Sequence, residues 1–90
     1  MREVQITGRF KRDYKREKRT DASLDDVLQP ILAMLAADEV PPANLSDHPL
    51  SGDWKGFRDC HIKPDLVLIY DKPEGALSLV RLGSHSELFG

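Results

Sequence analysis

The sequence predicts a small α+β domain of order β-α-α-β-β-β, with two N-terminal helices packed on a mainly antiparallel sheet. Three observations predict it. The chain has 90 residues, enough for one core and not two, so residues 1–90 form a single domain. Apolar residues change from a period of two to a helical period near Phe10, and return to strand-like runs after Gly56. Those later runs are too short and too closely spaced for helical crossovers, which predicts an antiparallel meander.

Val4, Ile6 and Gly8 alternate with Glu3, Gln5 and Thr7 as a first strand. From Phe10 a helix follows, with Arg12, Lys15, Arg16 and Arg19 on one face and Phe10 and Tyr14 opposite. So few apolar groups require it to pack on something larger. Ser23 with Asp26 resembles an N-terminal cap for the main helix, whose stripe is Leu24, Val27, Leu28, Ile31, Leu32 and Leu35. Pro30 removes the hydrogen bond to the Asp26 carbonyl, at roughly 3 kcal/mol in a regular helix, which predicts a kink or a restart. The helix is expected to end near Asp38, because Val40-Pro41-Pro42-Ala43-Asn44 cannot continue it.

Three strands come next. Gly56 to Ile62 places Phe57, Asp59 and His61 on one face, with Arg58, Cys60 and Ile62 on the other. Leu66-Val67-Leu68-Ile69-Tyr70 is apolar on both faces, as a central strand is. Asp71-Lys72-Pro73-Glu74-Gly75 supplies a turn, and Ala76 to Leu82 returns as the last strand.

The net charge of −2 conceals segregation. Residues 2–19 carry +5, residues 20–53 carry −7, and residues 54–90 balance. A polyanion responds to the local patch, so RNA or DNA is not excluded as a partner. The basic helix face reads first as a solvated surface, and after that as a source of phosphate contacts. No apolar run is long enough to span a bilayer, and the N-terminus predicts no secretory signal. Cys60 is the only cysteine, which suits a reducing cytoplasm.

The three histidines fall in Asp47-His48-Pro49-Leu50, His61-Ile62-Lys63-Pro64-Asp65 and Gly83-Ser84-His85-Ser86-Glu87-Leu88-Phe89-Gly90. These segments join strand-like runs, so the imidazoles are expected to converge at one end of the sheet with Asp65 among them. RNA cleavage by its own 2′-hydroxyl needs a base, an acid and a cation at phosphorus. Three histidines, a carboxylate and nearby Arg/Lys supply these without metal or cofactor. Arg81 precedes His85 on its strand and is a candidate for the phosphate; Lys55 adds a cation, while Arg58 points away from His61. His48 also reads as a turn residue, His61 with Asp65 as a pair fixing the bend at Pro64, and Phe89 as a plug for the tail. Zinc binding lacks a closely spaced histidine pair, and a covalent role for Cys60 lacks a base on its own strand face.

The motifs Asp47-His48-Pro49-Leu50, Trp54-Lys55-Gly56-Phe57 and His61-Ile62-Lys63-Pro64-Asp65, within residues 47–70, resemble the core signature of YafQ-type toxins in the RelE superfamily. Residues 81–90 resemble that family's C-terminal end. The resemblance implies a RelE-like fold and a cytoplasmic endoribonuclease toxin that cuts mRNA in the A site of the 70S ribosome. It implies a cognate antitoxin as partner, and operator DNA reached only through the toxin–antitoxin complex. It carries catalytic positions onto His48, His61, Asp65, His85 and Phe89, with His85 as general acid or base and Asp65 as its counterpart. RNA or ribosome contacts are expected at Arg12, Lys15, Arg16, Arg19, Lys55 and Arg81.

Two features depart from the family. Leu66 stands where relatives often have a larger aromatic, and the acidic stretch from Asp21 to Asp53 makes the chain less basic than a ribosome-bound ribonuclease suggests. The main rival is a non-catalytic antitoxin-binding module acting as transcriptional co-repressor. A free-standing ribonuclease acting on naked RNA is a further alternative.

Overall fold

A computed structural model describes residues Met1–Gly90. Strand β1 (Glu3–Ile6) leads into helices α1 (Gly8–Thr20) and α2 (Leu24–Ala36). Then come β2 (His48–Pro49), β3 (Arg58–Lys63), β4 (Leu66–Asp71), β5 (Ala76–Gly83) and a terminal helix α3 (His85–Phe89). The expected order is present, with two additions: the edge strand β2 and the helix α3. The sheet runs β1-β5-β4-β3-β2. It is antiparallel except that β1 pairs with β5 in parallel, Glu3 opposite Ala76 and Ile6 opposite Leu79.

Helices α1 and α2 cover one face. Their Phe10, Leu24, Leu28, Leu32 and Leu35 pack against Leu68, Tyr70, Leu77, Leu79 and Leu82 in the main core. Val67 and Ile69, the alternate residues of β4, form a smaller cluster with Leu88 on the other face, flanked by Leu50, Trp54 and Phe57. Strand β4 is therefore buried on both sides, as its sequence predicts. Each fully buried leucine in this core stabilises the fold by about 1.5–3 kcal/mol relative to exposure.

Several local expectations are corrected. Gly8 opens α1 instead of closing β1, because the Thr7 hydroxyl accepts from the Phe10 N–H and starts the helix there. Ser23 makes no side-chain cap; its hydroxyl donates to Asp21 instead. α2 runs through Pro30 as one helix, without a restart. Pro30 and Asp26 are both exposed, so the carbonyl that loses its partner lies on the solvent side. Val27 lies at the margin of the buried stripe. The helix ends at Ala36, with Asp38 in the left-handed conformation and its carboxylate accepting from Arg2 and Lys72.

β5 extends past the end of β1, and α1 covers the open edge this leaves. The Thr7 hydroxyl donates to the Leu79 carbonyl, the Asp13 carboxylate accepts from the Leu82 N–H, and Arg16 donates to the Leu82 carbonyl. Side chains of a helix thus complete the backbone bonding of a strand. No helix is long and apolar enough to cross a membrane.

Candidate active site

Sheet register decides which side chains meet. His48 lies opposite Asp59, Asp59 opposite Ile69, and Ile69 opposite Arg81. Paired residues share a face, so this row runs across four strands on the side away from α1 and α2. His61 lies in the next row, opposite Val67, which is itself opposite Gly83. His85 follows as the first residue of α3.

The terminal helix is placed by a capping box. The Ser84 hydroxyl accepts from the Glu87 N–H, and the Glu87 carboxylate accepts from the Ser84 N–H. These bonds hold the Glu87 carboxyl below its ordinary pKa, with the Ser84 N–H the largest cause. Arg16 of α1 reaches the same carboxylate at 3.3 Å. The result is a series of tilted rings: His61 and His85 with centroids 5.1 Å apart at 53°, then His85 and Phe89 with centroids 5.5 Å apart at 48°.

His48 Nδ1 lies 2.7 Å from the Ser46 carbonyl oxygen and 3.0 Å from Asp59 Oδ1. A carbonyl only accepts, so Nδ1 carries the proton and the neutral ring leaves its lone pair on Nε2. Asp59 is 1 % exposed, and its Oδ1 receives no hydrogen bond. Burial raises its pKa, against the opposing pull of His48, His61 and His85.

The convergence of the three histidines follows the expectation, but Asp59 is the carboxylate among them. Asp65 is exposed on the β3–β4 turn, where it lines a cleft with Glu17, Thr20, Asp21 and Lys63. No ion pair joins Asp65 to His61, because Pro64 and Asp65 lie in the turn beyond the last paired residues, Lys63 and Leu66. The alternation of Phe57, Asp59 and His61 along β3 carried the signal for Asp59.

The basic residues divide into two groups. Arg12, Lys15 and Arg19 of α1, and Lys55, are exposed and make no ion pairs, and the same holds for Arg9 and Lys11, which the sequence reading omitted. Arg16 is instead tied to Asp13, Glu17 and Glu87. Arg81 sits on the site's face but donates from Nε to Asp13 at 2.7 Å and from Nη2 at 3.4 Å, leaving Nη1 without a partner. Cys60 is fully buried in the main core and its thiol is pushed up to about 12 by burial, so it supplies no nucleophile at neutral pH. No group of three or more His, Cys, Asp or Glu side chains is placed to hold a metal ion. Leu66 is buried in the main core and presents no surface to a base.

The family model of YafQ, described as a bacterial toxin of a type II toxin–antitoxin system, matches residues 2–90. The chain belongs to the YafQ toxin family. It is 36% identical to the mRNA interferase toxin YafQ of Escherichia coli K12, over 99% of this chain and 97% of that one. Among solved structures, a copper-bound mutant toxin from Helicobacter pylori superposes with a TM-score of 0.94 at 39% identity, covering 99% of this chain and all of that one. The E. coli DinJ–YafQ complex superposes with a TM-score of 0.88 at 35% identity, over the full length of both chains. The α+β fold with its mostly antiparallel five-stranded sheet is the fold of YafQ toxins.

Proposed function

We propose that this YafQ-family toxin is a ribosome-dependent mRNA interferase that cuts by acid–base catalysis through the ribose 2′-hydroxyl. The observation that supports this reading best is the meeting of His48, His61 and His85 around the buried Asp59. His48 Nε2, with its lone pair free, takes the proton of the 2′-hydroxyl. The 2′-oxygen attacks phosphorus, the bond to the 5′-oxygen breaks, and exposed His85 gives that oxygen a proton. The Ser46 carbonyl holds His48 in the required tautomer, and the buried Asp59 carboxylate, 3.0 Å from Nδ1, stabilises the positive charge that develops on the ring. His61 beside His85 can donate a ring N–H to the phosphate, and Arg81 Nη1 can add positive charge from the row across the sheet. Phe89 offers its ring to a base. No step is routed through a metal ion.

Positioned acid–base groups supply about 10²–10⁴-fold, so the ribosome must contribute orientation of the mRNA. The unpaired cations of α1 and Lys55 face polyanionic RNA, but the acidic segment from Asp21 to Asp53 limits affinity for free RNA. The cognate antitoxin takes the apolar groove between β1 and the two helices. This groove of about 510 Å³ is lined by Val4, Ile6, Phe10, Leu28, Leu32 and Ala36. β1 is also a sheet edge, able to accept an added strand. The toxin–antitoxin complex then carries the toxin to operator DNA.

The test is mRNA cleavage on translating ribosomes by the wild-type chain and by His85→Ala, with EDTA and ribosome-free RNA as controls. Ribosome-dependent cuts that persist in EDTA and vanish in the variant are expected. Intact mRNA despite ribosome binding would favour the non-catalytic co-repressor. Cutting of free RNA would favour the free-standing ribonuclease.

A further inference from the structure

His48 sits on a strand of only two residues at the edge of the sheet, and the second of them is Pro49, which has no N–H to donate. Backbone pairing alone is a thin support for a base that must hold its ring still. A second attachment lies on the opposite face. Asp47, immediately before His48, points toward the side covered by α1 and α2 and is nearly buried. Its Oδ1 accepts from Arg58 Nε at 2.9 Å, and its Oδ2 accepts from the Tyr70 hydroxyl. Tyr70 is 1 % exposed, packed in the main core and directly opposite Arg58 in the β3–β4 register. Ser46, whose carbonyl receives His48 Nδ1, is in the left-handed conformation just before this clamp.

We propose that Tyr70 and Arg58, acting through Asp47, are the positioning residues of His48. By fixing the chain on one face of the sheet, they keep the imidazole on the other face against Ser46 and Asp59, with Nε2 presented to RNA. The role in cleavage rests on the ribonuclease reading above; the effect on the ring does not. Asp47 is the residue before β2 and His48 the first residue in it, and the contacts each makes place the anchored and the acting side chain on opposite faces. Burial, together with the hydrogen bond to Asp47, raises the Tyr70 pKa, so the phenol remains a donor across the neutral range.

Tyr70→Phe removes one oxygen and leaves the ring in place, and Asp47→Asn serves as the second variant. The first readout is the ¹⁵N spectrum of the His48 ring in the free protein. The Nδ1–H tautomer is expected in the wild type and a mixture of tautomers in both variants. The second is single-turnover cleavage on ribosome–mRNA complexes, where kcat should fall about 10-fold with KM little changed. Combined with His48→Ala, Tyr70→Phe should cause no further loss. An unchanged His48 spectrum in a folded Tyr70→Phe protein overturns the proposal, as does an undiminished loss of rate in the His48→Ala background. The spectrum needs no RNA, so a chain that cleaves nothing still tests the clamp, and failure of the ribonuclease reading remains separable from failure of this one.

Discussion

Replacing Asp13 by Ala probes the one acidic side chain that α1 buries. Asp13 is 4 % exposed and accepts hydrogen bonds from Arg81 Nε, the Leu82 N–H and Arg16 Nη1. Arg81 is itself largely enclosed, with 13 % of its side chain exposed. Without Asp13, its guanidinium and the Leu82 N–H lose their acceptor. Removing one member of a buried charged pair costs about 3–5 kcal/mol. That is a large share of the roughly 5–15 kcal/mol available to a domain. At about 4–8 °C per kcal/mol for a chain of this size, the melting temperature should drop by roughly 12 °C or more.

Urea unfolding followed by circular dichroism measures the difference, with the slope m as a check that both variants unfold from a comparable native state. The pH dependence adds a sign. Burial raises the Asp13 pKa, but the bonds from Arg81 and Leu82 and the charges of Arg81 and Arg16 outweigh it, so the folded value lies below the ordinary 3.8. A depressed carboxylate stabilises the fold above 3.8 and loses that contribution as pH falls through its folded pKa. The gap between wild type and Asp13→Ala should therefore be full at neutral pH and close only in stronger acid. A loss under about 1 kcal/mol, the range of an exposed ion pair, would refute the reasoning.

Two further outcomes follow from groups treated above. Asp59→Asn should abolish most cleavage in the ribosome assay yet stabilise the fold by about 1 kcal/mol near neutral pH, as removal of an unfavourable functional-site charge does. The sign comes from the raised pKa of Asp59: charging it costs the folded state as pH rises through its folded pKa, so the gain should vanish in acid. Ile6→Lys, at a side chain 60 % exposed, should weaken antitoxin binding about 10- to 100-fold by calorimetry, the equivalent of about 1.5–3 kcal/mol of lost apolar burial. Its cleavage of ribosome-bound mRNA should stay at the wild-type level, and equal affinity would exclude the β1 groove.

Much of this architecture is legible in the sequence because periodicity reports burial. The alternation from Arg58 to Ile62 correctly separates the core-facing Cys60 and Ile62 from Asp59 and His61, and the double-faced apolar run of β4 marks the centre of the sheet. Three things escape that signal. β2 has two residues and a proline, too short to show any period. The parallel pairing of β1 with β5 is a choice of neighbour, which strand pattern does not encode. α3 hides in a segment rich in Gly and Ser, although Ser84 with Glu87 three positions later is a readable capping box. Asp59 at the site has a different origin. Asp65 matches a family motif and lies exposed on the β3–β4 turn, whereas strand alternation places Asp59 on the face that carries His48 and His61.

The placement of β1 carries a consequence for the order in which the molecule assembles. β3, β4 and β5 are successive hairpin partners, so their contacts close short loops, whereas Glu3 must find Ala76 across most of the chain. Formation of the meander is favoured first, with the N-terminal strand and its helix arriving as a late clasp along the exposed margin of β5. The imidazole-bearing strands and the cation-bearing helix thus differ in the length of chain that must be closed before each joins the sheet.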